Sequence, residues 1–167
     1  MNKLTGLLAL TALSFAVYAG GNPEFVAFPS GYQDDFSRYS TQNRGNNQQV
    51  ADLYANEVAL ESVKNGTLAS GSVIVMEVYK PKKDDAGNIV TGRDGMFEKS
   101  ELAAIAVMER RANWSGEFAA GHRTGGWGFA IYDPRGNPKA NDLDCVSCHS
   151  PLADQQYLFS YDALAAH

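Results

Sequence analysis

Cysteine is scarce in this chain, with two in 167 residues. That count excludes a disulfide scaffold and a four-cysteine zinc site. Positive charge is also in deficit: 14 Lys and Arg stand against 19 Asp and Glu, a formal net charge of −5. A duplex-binding protein carries a basic face, so nucleic acid is not an expected partner. Past the amino terminus the chain lacks any apolar run long enough to cross a bilayer. It shows no internal repeat and no interdomain linker. Hydrophobic residues make up 44% and charged residues 20%, a mixture that argues for one globular core rather than a disordered chain.

Residues 1–19 read MNKLTGLLALTALSFAVYA. Lys3 gives a positive start, Leu4 to Val17 is an apolar run too short to span a membrane, and Val17 and Ala19 are small residues at the −3 and −1 positions of a cut before Gly20. The expectation is a signal peptide, cleaved after Ala19, and a periplasmic protein with no membrane attachment. Residues 20–49 are polar and rich in glycine and asparagine and read mostly as an arm or loop, with a short helix around Phe36 and Tyr39; the expected N-terminal arm is 20–44. Residues 45–167 are the expected folded domain.

Within that domain, residues 48–65 are spaced like a helix, stopped by Gly66. The segment GSVIVMEVYK (71–80) alternates as a strand does: Val73, Val75, Glu77 and Tyr79 face one way, and Ile74, Met76 and Val78 the other. AAIAVMER (103–110) and GWGFAIYD (126–133) are the next expected strands, the latter closed by the turn Pro134 to Asn137. The carboxy-terminal part suits short helices. Strands clustered between helices predict an α+β fold with a mainly antiparallel β-sheet.

The two cysteines lie in Cys145-Val-Ser-Cys148-His149. This C-x-x-C-H spacing is that of covalently attached haem c. Two thiols three residues apart reach the two vinyl groups on one porphyrin edge, and the adjacent imidazole reaches the iron. A redox C-x-x-C is expected near a βαβ unit, which is missing here. A zinc site would have to be completed from His122 and His167 alone. Cys145 and Cys148 are therefore the expected haem attachment points, and His149 an iron ligand. A small helical cytochrome c carries this motif near its amino terminus, and a four-helix cytochrome has four long amphipathic helices. Neither pattern suits a carboxy-terminal motif behind a strand-rich body.

YANEVAL (54–60), GSVIVMEVYKPKK (71–83), AIAVMER (104–110), GGWGFAIYDPRG (125–136), CVSCH (145–149) and DQQYLFSY (154–161) occur in this order. Over roughly residues 45–162 the set resembles the cytochrome P460 superfamily, which includes the cytochromes c′-beta. The resemblance implies an antiparallel sheet with flanking helices, one c haem packed against the sheet, a homodimer, and either hydroxylamine oxidation or the binding of nitric oxide and other small ligands. It also exposes a departure. P460 enzymes carry a lysine, cross-linked to the haem macrocycle, where this chain has Met76, and a thioether offers no nucleophilic nitrogen. An arginine that those enzymes carry on the distal side has no counterpart in Gln48-Gln49-Val50-Ala51.

The aligned position directs Met76 at the distal haem face. A thioether is a soft ligand that suits haem iron, and His/Met ligation is common in electron-transfer cytochromes. Met76 is thus the expected second ligand. The other readings are an apolar lid over a five-coordinate iron and a core methionine filling a gap. Met96 and Met108 are weaker ligand candidates. Tyr54, Phe97, Trp127, Phe129 and Tyr132 suit either a pocket wall or ordinary core, and Glu109 and Asp133 suit exposed salt bridges. A six-coordinate haem points to electron transfer with a redox partner protein. A five-coordinate haem points to nitric oxide or carbon monoxide binding, or to weak peroxidase activity.

Overall fold

The computed structural model describes residues 21–45 and 48–167, and the leader lies outside the described residues. Six antiparallel strands form one sheet: β1 (Ser37–Arg44), β2 (Gln49–Ala55), β3 (Val73–Pro81), β4 (Lys99–Arg110), β5 (Arg123–Thr124) and β6 (Trp127–Tyr132). Their spatial order is β1-β2-β3-β4-β6-β5. Short helices flank them: α1 (Tyr32–Asp35), α2 (Glu57–Val63), α3 (Cys145–His149) and α4 (Tyr161–Ala165). The expected α+β architecture with an antiparallel sheet is the one observed.

Alternation along β3 sorts the two faces. Ile74 and Met76 join a core with Leu53, Met108, Phe129 and Leu158, covered by α2, α4 and the carboxy-terminal segment. Val73 and Val75 join the opposite core with Ile105, Val107, Trp114, Phe118 and Tyr132, covered by the chain around Val26 and Tyr32. β3 is rich in β-branched residues (Val73, Ile74, Val75 and Val78), which pack well on a pleated surface.

Two segments depart from the sequence expectation. Residues 49–55, expected as the start of a helix, are β2, and only Glu57–Val63 is helical, capped by the Asn56 side chain accepting from the Ala59 amide at 3.0 Å. β2 is an inner strand with both faces covered, so it carries apolar residues without the alternation that marks a strand. Residues 37–44, expected within an arm, form edge strand β1, paired with β2 from Ser37↔Ala55 to Arg44↔Gln49. Their polar side chains are the ordinary composition of a sheet edge, which resembles a loop in sequence. The helix before them is α1, and Tyr39 belongs to the strand.

The close packing of β6 depends on glycine. A Cβ on Gly128 would fall 2.8 Å from Trp114 and Val26, so the strand can lie against those side chains only with no side chain of its own there. The β6 turn forms as expected: Asp133 Oδ1 accepts from the Arg135 and Asn137 amides at 2.8 and 2.9 Å.

Candidate haem site

Helix α3 consists of the C-x-x-C-H segment itself. Its start is fixed by Asp144, whose carboxylate accepts from the Ser147 amide at 2.9 Å and the Ser147 hydroxyl at 2.6 Å. Those bonds hold the Asp144 carboxyl below its usual range. One helical turn therefore presents both thiols and the imidazole together. Cys145 is half-buried, and burial pushes its thiol up to about 11. Cys148 is exposed.

His149 is oriented by its backbone neighbours. Its Nδ1 lies 2.7 Å from the Tyr157 carbonyl oxygen. A carbonyl only accepts, so Nδ1 carries the hydrogen and Nε2 is left as the lone-pair nitrogen. Burial lowers the His149 pKa, which favours the neutral ring a metal needs. Phe129 and Phe159 flank the ring with centroids 5.0 and 5.1 Å away. Phe159 is 65% exposed, an unusual position for a large aromatic side chain.

A cavity of about 530 Å³ opens beside His149, within the usual size of a cofactor site. Its sheet wall is Gln42 and Arg44 from β1, Ala51 and Leu53 from β2, Ile74 and Met76 from β3, and Ala106 and Met108 from β4. The Ala106 methyl adjoins Met76 in register and leaves the wall shallow there. The structure thus brings Met76, His149 and Cys148 to one cavity, while Cys145 packs against the core beside it.

Other candidates separate. Met108 also lines the cavity, but it is buried between Ile74 and Phe129 in the strand register. Met96 sits in the hairpin between β3 and β4, its amide donating to Asp94 at 3.0 Å. His122 and His167 are exposed and do not line the cavity. Tyr54 and Tyr132 face the other core, and Trp127 and Phe129 pack beneath the cavity rather than lining it. Glu109 pairs with Arg111 at 2.7 Å, whereas Asp133 builds its turn instead of a salt bridge. Lys80, Lys82 and Lys83 lie along a separate surface groove with Gln48 and Ser100.

Sequence reasoning missed Arg44. Arg44 reaches the cavity from β1, upstream of the segment where an arginine was looked for, its Nη1 donating to Gln49 Oε1 at 2.8 Å. It is the one side chain of fixed charge among the described lining residues. Pairing of Arg44 with Gln49 was the available signal, and it needs the β1–β2 register to be seen.

No curated protein matches this chain. A family model described as cytochrome P460 matches residues 29–160, most of the chain, so the protein belongs to the cytochrome P460 family, which implies a c-type haem cytochrome.

Proposed function

We propose that this protein is an exported, periplasmic mono-haem cytochrome of the c′-beta kind, that Cys145 and Cys148 would attach the haem, and that His149 and Met76 would both ligate its iron. Its role is electron transfer, with little peroxidase or hydroxylamine-oxidising activity. The observation that carries the reading is that Met76 and His149 open onto the same apolar cavity.

The residues present fit a haem. Two thiols share one helical turn with a neutral imidazole whose Nε2 is available, and the cavity beside them is lined mainly by apolar side chains. The exposed Phe159 ring at that cavity is apolar surface that a flat apolar group would cover. When bound, haem supplies a one-electron iron couple. The protein's part is to hold it. His149 is kept in one tautomer by Tyr157, and the β3 strand keeps Met76 in the wall. Met76 would offer the iron a soft thioether, which would favour the ferrous state.

The lining also speaks against turnover. Among the described lining residues there is no carboxylate and no lysine, so no general acid or base of that kind stands beside the reacting position. The resemblance puts Met76 where P460 enzymes carry their cross-linking lysine. The leader-like sequence supports export, and among the described residues no helix is long and apolar enough to cross a membrane. A homodimer and a redox partner protein complete the proposal.

A second reading is a five-coordinate haem that binds nitric oxide or carbon monoxide, or acts as a weak peroxidase. It is favoured by Arg44 and Gln42, which bring hydrogen-bond donors to the cavity. The ferric optical spectrum of the purified full chain decides between them. Low-spin bands with the weak near-red sulfur-to-iron transition support Met76 ligation. A high-spin spectrum rejects it in favour of the second reading.

A further inference from the structure

On the face of β3 behind Met76, the next residue is a buried carboxylate. Glu77 is 1% exposed. Its Oε1 accepts from the Tyr32 hydroxyl at 2.6 Å and Gln33 Nε2 at 2.7 Å. Its Oε2 accepts from the Tyr79 hydroxyl at 2.8 Å and the Tyr54 hydroxyl at 3.2 Å. An ionised carboxylate has about four acceptor positions and no hydrogen of its own. Four donors on Glu77 match that inventory. The three phenols stay protonated donors: burial first, and Glu77 second, raise Tyr32 and Tyr79, and push Tyr54 up to about 12.

Glu77 holds no cation of its own among the described residues. Asp52 sits directly opposite Glu77 in the β2–β3 register, an arrangement that costs stability for like charges. The neighbouring cations go to Asp52: Lys99 forms a short ion pair with it, and Arg38 lies 3.7 Å away. Among the described residues no cation forms an ion pair with Glu77. Neutral hydroxyls and an amide hold it instead, so both cations of the cluster lie at Asp52 and the negative end lies at Glu77. With Glu77 itself out of contact with water, its charge is screened less than a surface charge.

We propose that Glu77 is a fixed buried anion behind the cavity that lowers the reduction potential of the haem. The inference rests on the haem reading above. A negative charge near the iron favours the more positive ferric state. It opposes the soft thioether of Met76, which favours the ferrous one. The two side chains are consecutive on one strand and act with opposite sign from its two faces.

The test is the midpoint potential of the haem-loaded full chain, measured at one pH for the parent and Glu77→Gln, with the ferric spectrum recorded beside it. Glutamine keeps the size and removes the charge. The Tyr54 hydroxyl, whose 3.2 Å bond to Glu77 is only part-buried, can turn to accept from the new amide. The expected result is a raised potential with an unchanged ferric spectrum. An unchanged potential on a haem-loaded variant overturns the proposal. So does a shift that comes with a changed spectrum, because Glu77 would then merely hold the strand in place. Should the single variant fail to fold, Glu77→Gln with Tyr54→Phe removes the competing hydroxyl hydrogen and is judged by the same outcomes. Absence of covalently bound haem from the parent would sink the haem reading itself and is distinguishable by the pyridine haemochrome assay.

Discussion

The Tyr157 carbonyl oxygen stands 2.7 Å from His149 Nδ1 because two consecutive non-glycine residues adopt left-handed backbone, Gln156 at φ 52° and Tyr157 at φ 63°. Such residues persist only where their surroundings over-determine them. Here the surroundings are explicit. Trp127 Nε1 donates to the Gln156 carbonyl at 3.0 Å, Arg110 donates to the Gln156 side chain at 3.0 Å, and the Tyr157 ring lies on Gly125. The sheet thereby aims the carbonyl that orients the histidine.

Gly125→Ala should disturb this arrangement. Its new Cβ would fall 1.9 Å from the Tyr157 ring, at a φ of +56° that alanine rarely adopts. Overpacking and strain together should cost about 2–4 kcal/mol. Denaturant unfolding should report that loss, and the haem spectrum should broaden as His149 loses its fixed partner. Parent-like stability would show that the ring moves aside freely.

Replacing Cys145 and Cys148 with Ala should abolish covalent attachment. Both thiols lie on the one turn that also carries His149. Acid-acetone extraction should strip haem from the double variant and leave it on the parent. Haem that resists extraction from the variant would refute the attachment points.

Alkaline stability should depend on Tyr39. The phenol is buried, and it shares a 2.8 Å hydrogen bond with the Ser160 hydroxyl. Burial pushes its pKa up to about 12, with the Ser160 bond opposing, from an ordinary value of 10.0. The folded pKa is raised, so the contribution is fully present below pH 10 and is lost as pH climbs towards 12. Within that window the unfolded chain has released the proton and the folded one retains it. Stability then falls by about 1.4 kcal/mol per pH unit from this group. Tyr39→Phe should cost about 1 kcal/mol at neutral pH through the lost hydrogen bond and show a shallower decline above pH 10. Parallel stability curves for the two proteins would exclude this role.

Much of the site was legible because its chemistry is local. Cys145, Cys148 and His149 fall within five residues, and the period-2 pattern of β3 correctly put Met76 and Glu77 on opposite faces. The misses were long-range. β2 is covered on both faces, so Val50 to Leu53 shows no alternation and passes for helix. Arg44, Leu158 and Phe159 reach the cavity only through strand register and the path of the carboxy-terminal chain. The Glu77 cage joins residues from 32 to 79, a spacing that no local pattern encodes.

Two methionines line the cavity, and they should respond differently. Met76 is half-buried in the cavity wall, whereas Met108 is 9% exposed and fixed in the core beside Phe129. Met76→Ala should remove the axial thioether, so the ferric haem should lose its low-spin sulfur-to-iron band and its potential should fall. Carbon monoxide affinity and peroxide reactivity should rise as the position opens. The stability cost should be about 2 kcal/mol, at the low end for methionine truncation because the side chain is not fully buried, and the fold should survive it. Met108→Leu conserves volume, should cost less than about 1.5 kcal/mol, and should leave spectrum, potential and carbon monoxide binding at parent values. The measurement is the pair of ferric spectra beside the parent's. If Met108→Leu loses the band and Met76→Ala keeps it, the ligand is Met108. If neither variant changes the spectrum, no methionine of this cavity is on the iron and the ligand-binding reading takes precedence.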